Sequence, residues 1–284
     1  MTPPKMSRAP ASYPAPEHLL RDLRVVVERD ERGVTGCVEI VPEMLDATGR
    51  VRLGVLATVV DVAGGECAIR AARPDWIATS DLSVYATARP ESGTLAVRPR
   101  VLRKGRQTVV LDAAFEERES GREVGLATLG FAILPARSEF QKNGHWAEAE
   151  GARTEFAHDH SRLEASLLDT LGIELDPARP GVAHVEVRPY VINSLGAMQG
   201  GAIAILLDAA AEDFATRKLG RPAQLRGLAI HYLKLGRVGP IRAESCPIGE
   251  TNGGMLLRVS LFDEGQDDAL LTVATAHVDT AATS

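Results

Sequence analysis

In "INSLGAMQGGAIAILLDAAAEDFA", Ile192 to Ala215, a polar loop with three glycines runs into an apolar stretch interrupted midway by a carboxylate, Asp208. The apolar run predicts a buried helix of about five turns. An acid on such a helix is costly unless it is paired, protonated or used. Around it the pattern changes to short alternating segments, "RGLAIHYLK", "PIRAESCPI", "GMLLRVSLFD" and "LLTVATAHVD", which read as strands. The first half of the chain has the same order. A short amphipathic helix and a strand lead to a Gly-containing loop and a long helix, then "ATSDLSVYA", "GTLAVRPRVLR", "QTVVLDAAFEE" and "EVGLATLGFAIL". A helix followed by a run of strands predicts an α+β fold, an antiparallel sheet with the helix on one face.

The likeness of the halves is literal. "VEIVPEMLDATGRVRLGVLATVVDVA" from Val38 aligns without a gap on "VEVRPYVINSLGAMQGGAIAILLDAA" from Val185, at a constant offset of 147 residues. Eight of the 26 positions are identical, Asp61 and Asp208 among them, where composition alone gives roughly two. So long a period means two copies of one domain rather than a solenoid. The expected boundaries are a disordered arm over 1–16, a first domain over 17–135, a polar, aperiodic linker over 136–160 and a second domain over 161–284.

Composition narrows the function classes. The 284 residues are 45% apolar, ample for a packed core. No run approaches the roughly 18 apolar residues of a membrane span, and the Pro- and Ala-rich start has no signal-peptide core, so no membrane role is expected. Cys37, Cys67 and Cys246 lack CxxC spacing, which argues against a disulfide framework or zinc site and for a reducing cytoplasm. With a net charge of −6 and 4% aromatic residues, nucleic acid is not an expected partner. His158, His160 and His231 show no ligand spacing, and there is no GxSxG elbow. Neither a metal nor a redox cofactor is expected. The basic clusters around Arg103, Lys104 and Arg106 and around Lys234 and Arg237 are either solvated strand ends or contacts for one phosphorylated small molecule.

A long helix wrapped by an antiparallel sheet, opened by an Asn and a Gly-Gly pair and carrying an acid two turns in, resembles the hotdog fold. In particular it resembles PaaI-type acyl-CoA thioesterases, whose pattern runs Asn, then His-Gly-Gly six residues on, then Asp nine beyond the His. The second copy shows Asn193, Gln199-Gly200-Gly201 and Asp208 at that spacing, with Gln for His. The first keeps Asp61 but has Asp46 for the Asn and Arg52-Leu53-Gly54 for the His-Gly-Gly. The resemblance covers both copies. It implies two hotdog domains paired as a pseudo-dimer, an acyl-CoA substrate, and homo-oligomers of such units as a further possibility.

Thioester hydrolysis needs donors where the carbonyl oxygen becomes negative and a base or nucleophile at its carbon. The first-turn N–H of Gly200 suits the first role. Asp208 lies eight residues further along the same helix, about 12 Å away, and cannot reach that carbon. If the two long helices pack antiparallel, the acid of each copy serves the loop of the other, as the resemblance also implies. One composite site then joins Asn193, Gln199 and Gly200 to Asp61, with Thr79 where similar enzymes carry a hydroxyl behind the acid. Asp61 is its expected base or nucleophile, Gly200 N–H its oxyanion donor, Asn193 a positioner of water or acid, and Thr79 an aid to Asp61. The other site joins Asp46, Arg52 and Leu53 to Asp208, with Leu225 at the hydroxyl position, and is expected to be the weaker. Each residue has a structural alternative: a capped acid, a tight glycine loop, an Asx turn at Asn193, an ordinary strand position at Thr79. The function has two as well, a module that binds an acyl-CoA or apolar ligand without turnover, and a hotdog dehydratase or hydratase, which the missing His disfavours.

Overall fold

A computed structural model describes residues 13–137, 139–142, 153–251 and 253–280. The first half runs α1 (Leu19–Asp22), β1 (Val26–Asp30), β2 (Gly33–Ile40), α2 (Leu53–Ala72), β3 (Trp76–Ala86), β4 (Gly93–Lys104), β5 (Thr108–Glu117) and β6 (Arg122–Leu134). A middle segment carries α3 (Glu139–Lys142) and β7 (Arg153–Glu155). The second half runs α4 (Leu167–Leu171), β8 (Glu174–Leu175), β9 (Val182–Val185), α5 (Gly200–Leu219), β10 (Ala223–Tyr232), β11 (Ile241–Thr251), β12 (Gly254–Asp263) and β13 (Ala269–Thr280).

All strands join one 13-stranded antiparallel sheet in the order β7-β1-β2-β4-β5-β6-β3-β10-β13-β12-β11-β9-β8. Apart from β7, the order reads the same from either end once the halves are superposed. At the join, β3 pairs with β10, Ser83 facing Ala229. The strands alternate buried and exposed positions, as in β12, and the buried face wraps α2 and α5. Both helices are covered nearly all round: every residue from Leu53 to Val60 and from Gly201 to Glu212 is buried, which is why neither shows the one-sided pattern of a surface helix.

The loops before the two long helices repeat bond for bond. Asp46 N–H donates to Arg50 O, and Asn193 N–H to Ala197 O; Arg52 N–H donates to Met44 O, and Gln199 N–H to Val191 O. Gly49 and Gly196 hold the same turn at φ +74° and +69°, where a side chain would be strained. The helices cross antiparallel at paired glycines. A Cβ on Gly54 would stand 2.6 Å from the Ile205 Cα, and one on Gly201 2.4 Å from Thr58 Oγ1; Thr58 and Ile205 are counterparts.

Two expectations change at the edges. Residues 13–16, expected in a disordered arm, are placed: Arg21 donates to the carbonyls of Pro14 and Ala15, and the Tyr13 ring packs edge-on against His18. The rest of that arm lies outside the described residues. Within the expected linker, α3 and β7 are regular, and β7 extends the sheet by pairing with β1. Unpaired N–H and C=O groups of β1 recruit it despite its polar sequence. Residues 138 and 143–152 lie outside the described residues.

Because a Gly54 side chain would strike helix backbone, Gly54→Ala should lower stability by about 1–3 kcal/mol. Gly65→Ala, where a Cβ meets nothing within 4 Å, should be neutral or stabilising by about 0.5–1 kcal/mol. Equilibrium denaturation of both variants decides it; equal losses would sink the glycine-contact argument.

Candidate active site

The antiparallel crossing sets the ninth residue of each long helix beside the first turn of the other. At one end these are Asp61 of α2 and Gly200 of α5. A Cβ built on Gly200 would stand 2.7 Å from Asp61 Oδ2, so this oxygen lies within about 5 Å of the Gly200 nitrogen. Gly200 opens its helix, so its N–H has no carbonyl four residues back and the positive end of the helix dipole is behind it. Thr79 Oγ1 donates to Asp61 Oδ1 at 2.7 Å. Burial raises the Asp61 pKa to about 6, against the lowering pull of that hydroxyl. Asp61, Thr79, Asn193, Gln199 and Gly200 all line one cavity of about 760 Å³. The structure thus brings five of the six expected site residues together.

Asn193 and Gln199 are also occupied within the loop. Asn193 Oδ1 accepts from the N–H groups of Leu195 and Ala197 at 2.9 and 3.2 Å, an Asx turn that Asp46 repeats with Thr48 and Arg50. Only the Nδ2 hydrogens of Asn193 are left to face a ligand. Gln199 is the helix N-cap, its Oε1 accepting from Ala202 N–H at 3.1 Å.

Two tyrosines were not foreseen. Tyr232, from the end of β10, donates its hydroxyl to Gly200 O at 3.2 Å and lines the cavity. Tyr13 lines it from the N-terminal segment. Burial, and then the charge of Asp61, push both phenols up, so they stay neutral. No spacing rule points to Tyr232, although a Tyr just before the basic "LKLGR" is a visible cue. Lys234 and Arg237 line the cavity too, whereas Arg103, Lys104 and Arg106 do not.

The opposite end has the same backbone and other contents. Asp208 Oδ2 accepts from Gly54 N–H at 2.9 Å, and its side chain is shut from solvent. Arg52, counterpart of Gln199, reaches Glu212 in a buried ion pair. Glu212 also accepts from Ala47 N–H. Asp46 pairs with Arg89 at 2.6 Å, and Arg89 donates to Gln224. Three acids thus share two guanidinium groups, and the Asp208 pKa rises to about 6, first through burial. Leu225, at the expected hydroxyl position, is buried core. Asp208 is therefore apart from the cavity that holds the other five residues.

Among the described residues, no three His, Cys, Asp or Glu side chains are grouped to hold a metal ion, and no helix is long and apolar enough to cross a membrane.

No family model and no curated protein matches the chain in sequence. Solved structures match it in shape. A protein provisionally named an oleoyl thioesterase, from Lactobacillus plantarum, is 11% identical with a TM-score of 0.60, over 93% of this chain and 100% of its own. An acyl-ACP thioesterase from Bacteroides thetaiotaomicron is 15% identical with a TM-score of 0.57, over 86% of this chain and 97% of its own. A conserved protein of unknown function with the hotdog fold, from Alicyclobacillus acidocaldarius, is 14% identical with a TM-score of 0.57, over 94% and 99%. At these identities the likeness concerns the fold, and the chain has the hotdog fold.

At the sealed end, Arg52→Met leaves Glu212 and Asp208 buried without their guanidinium and should cost about 3–5 kcal/mol near neutral pH. Without Arg52, which holds the Asp208 pKa down, Asp208 takes up its proton more readily in the folded state, so the loss should shrink as pH falls from 7.5 to 5. Urea unfolding at both pH values measures it; a loss that grows toward pH 5 would contradict the buried-cluster account.

Proposed function

We propose that the chain is an acyl-CoA thioesterase, in which two hotdog domains, 17–135 and 161–284, pair as a pseudo-dimer joined through 136–160. The observation that carries this reading is the meeting of Asp61 with the first turn of α5, across the helix crossing and at the wall of the large cavity. The solved structures of similar shape include thioesterases by name, which supports the same class.

The thioester carbonyl would lie with its oxygen on Gly200 N–H, where negative charge develops on the tetrahedral intermediate. Ionised Asp61 acts on the carbon, as nucleophile or as base to a water. The close approach of Oδ2 to Gly200 favours direct attack, since little room is left for a water between them. In that route an Asp61 oxygen bonds the acyl carbon, the C–S bond breaks, and the CoA thiolate leaves and takes a proton from solvent. Water then cleaves the acyl-aspartyl anhydride to the acid and regenerates Asp61. Thr79 holds the carboxylate in register, and the Nδ2 hydrogens of Asn193 help orient the acyl group. Lys234 and Arg237 suit the phosphates of coenzyme A at the mouth. The reaction needs no metal or redox cofactor, and a cytoplasmic setting with its acyl-CoA pool fits it. The exposed neighbours Tyr85 and Leu126 on the outer sheet face offer a surface for homo-oligomers.

The alternative, a module that binds an acyl-CoA or apolar ligand without turnover, draws on Gln199, whose side-chain oxygen caps its own helix instead of facing a ligand.

Thiol release from a panel of acyl-CoAs separates the two. Asp61→Asn should abolish turnover, by at least about 10³-fold for a group acting at the reacting carbon. Asp208→Asn should keep most of it, and the reverse order would overturn the assignment. Binding with no release by any thioester would favour the module.

The pH profile is a second check. Only ionised Asp61 is active, so kcat/KM should climb as pH rises through about 6 and level off above. Thr79→Val removes the hydrogen bond that favours the ionised form and should move this limb to higher pH. A profile falling through the same range, or an unmoved limb, would contradict the role given to Asp61.

A further inference from the structure

Past Asp61 the cavity continues along α2, where its wall is Val62, Gly65, Glu66 and Ile69. From Asp61 to Ile69 this is about 12 Å of helix axis. Packing does not account for two of these residues. Gly65 sits mid-helix, where glycine is the less stable choice, yet a Cβ on it would touch nothing within 4 Å. On its neighbour Gly64 a Cβ would meet Leu129 at 3.0 Å, so close contact explains that glycine alone. The counterpart of Gly65 is Glu212, which fills the same place at the sealed end. Glycine at 65 therefore leaves an open sleeve one turn beyond Asp61.

Glu66 stands at the far side of this sleeve. Its side chain is only 2% exposed and pairs with Arg29 at 2.9 Å. Arg29 is held in turn by Thr154 at 2.8 Å, and Arg70 Nε lies 3.9 Å from the carboxylate. Both cation contacts fall on Oε1, and Oε2 accepts no hydrogen bond from a described residue. The sleeve thus ends at a carboxylate on the cavity wall.

Resting on the thioesterase reading, we infer that the acyl group carries a neutral hydroxyl at its far end, donated to Glu66 Oε2. A carboxylate there would meet Oε2 at close range, and a cation would meet the guanidinium groups of Arg29 and Arg70 that already face Glu66. A hydroxyl can donate to Oε2 without adding charge. Glu66 lies about 7.5 Å beyond Asp61 along the axis, which suits a chain of about six carbons or one aromatic ring.

Calorimetric titration with two stable thioethers, S-hexyl-CoA and S-(6-hydroxyhexyl)-CoA, tests this without turnover. The hydroxyl ligand should bind about tenfold tighter to the wild-type protein, as for a hydrogen bond to a charged acceptor. Glu66→Leu alone would strand Arg29, so the informative variant is Arg29→Met with Glu66→Met, an apolar replacement of the whole pair. In it the preference should vanish or reverse. Equal or weaker binding of the hydroxyl ligand by the wild type overturns the inference, and so does a preference that survives the double variant. Failure of both thioethers to bind overturns it together with the acyl site. A hydroxyl preference without thiol release from 6-hydroxyhexanoyl-CoA would sink the thioesterase reading and leave the polar-ended pocket standing.

Discussion

The structure depends on the close crossing of α2 and α5. Gly54 and Gly201 let each helix begin against the middle of the other, with no space for even one more carbon at either contact. That approach fixes which residues can meet. The ninth residue of one helix falls beside the first turn of its partner, and the eight-residue rise along a single helix keeps it from its own first turn. It also withdraws both acids from bulk solvent, Asp208 fully and Asp61 in part, since a helix wrapped by a sheet and crossed by a second helix has almost no solvent face. The raised pKa values of Asp61 and Asp208 follow from this burial before any neighbouring charge is considered.

From one crossing, two ends develop differently through few substitutions. At the open end Gly200 and Gly65 contribute no side chain, and Gln199 turns its oxygen back onto its own helix. At the sealed end their counterparts are Leu53, Glu212 and Arg52. The leucine is buried, and the other two fill the remaining space as an ion pair. A first-turn N–H is also taken there, Gly54 donating to Asp208. The acid alone does not distinguish the ends, because each has one with a raised pKa. What differs is whether the space in front of it is empty or occupied.

Much of this was legible in the sequence, for a physical reason. A constant offset over 26 residues preserves turn chemistry, so the Asx turn, the positive-φ glycine and the helix start appear twice in register. Once the helix rise excluded a site within one copy, Asp61 had to be set against Gly200. The rest depends on distant partners. Tyr232 reaches Gly200 from a strand end, and Tyr13 reaches the cavity from a segment whose Pro-rich composition reads as disorder. β7 forms because an open edge was available, and its own polar residues give no hint of it. The sealed cluster was partly visible, since Glu212 follows Asp208 by one helical turn. Its saturation by Arg52 and Arg89 needed the fold.

The fused chain permits an asymmetry that two identical subunits could not have. In a symmetric pair, any substitution that seals one end seals the other, so Arg52 and Glu212 would fill both cavities. With the copies joined, each position is chosen independently. The first copy can keep Asp61, Gly65 and Thr79 while its loop is filled, and the second can keep Gly200 and the Asn193 turn while its helix carries Glu212. Every retained feature of the open end comes from the copy that the sealed end does not need it from. The two repeats are therefore complementary halves: either one doubled on itself would set Gly65 against Arg52 and Leu53, or Glu212 against Gly200, and neither pairing reproduces the open cavity seen between Asp61 and Gly200.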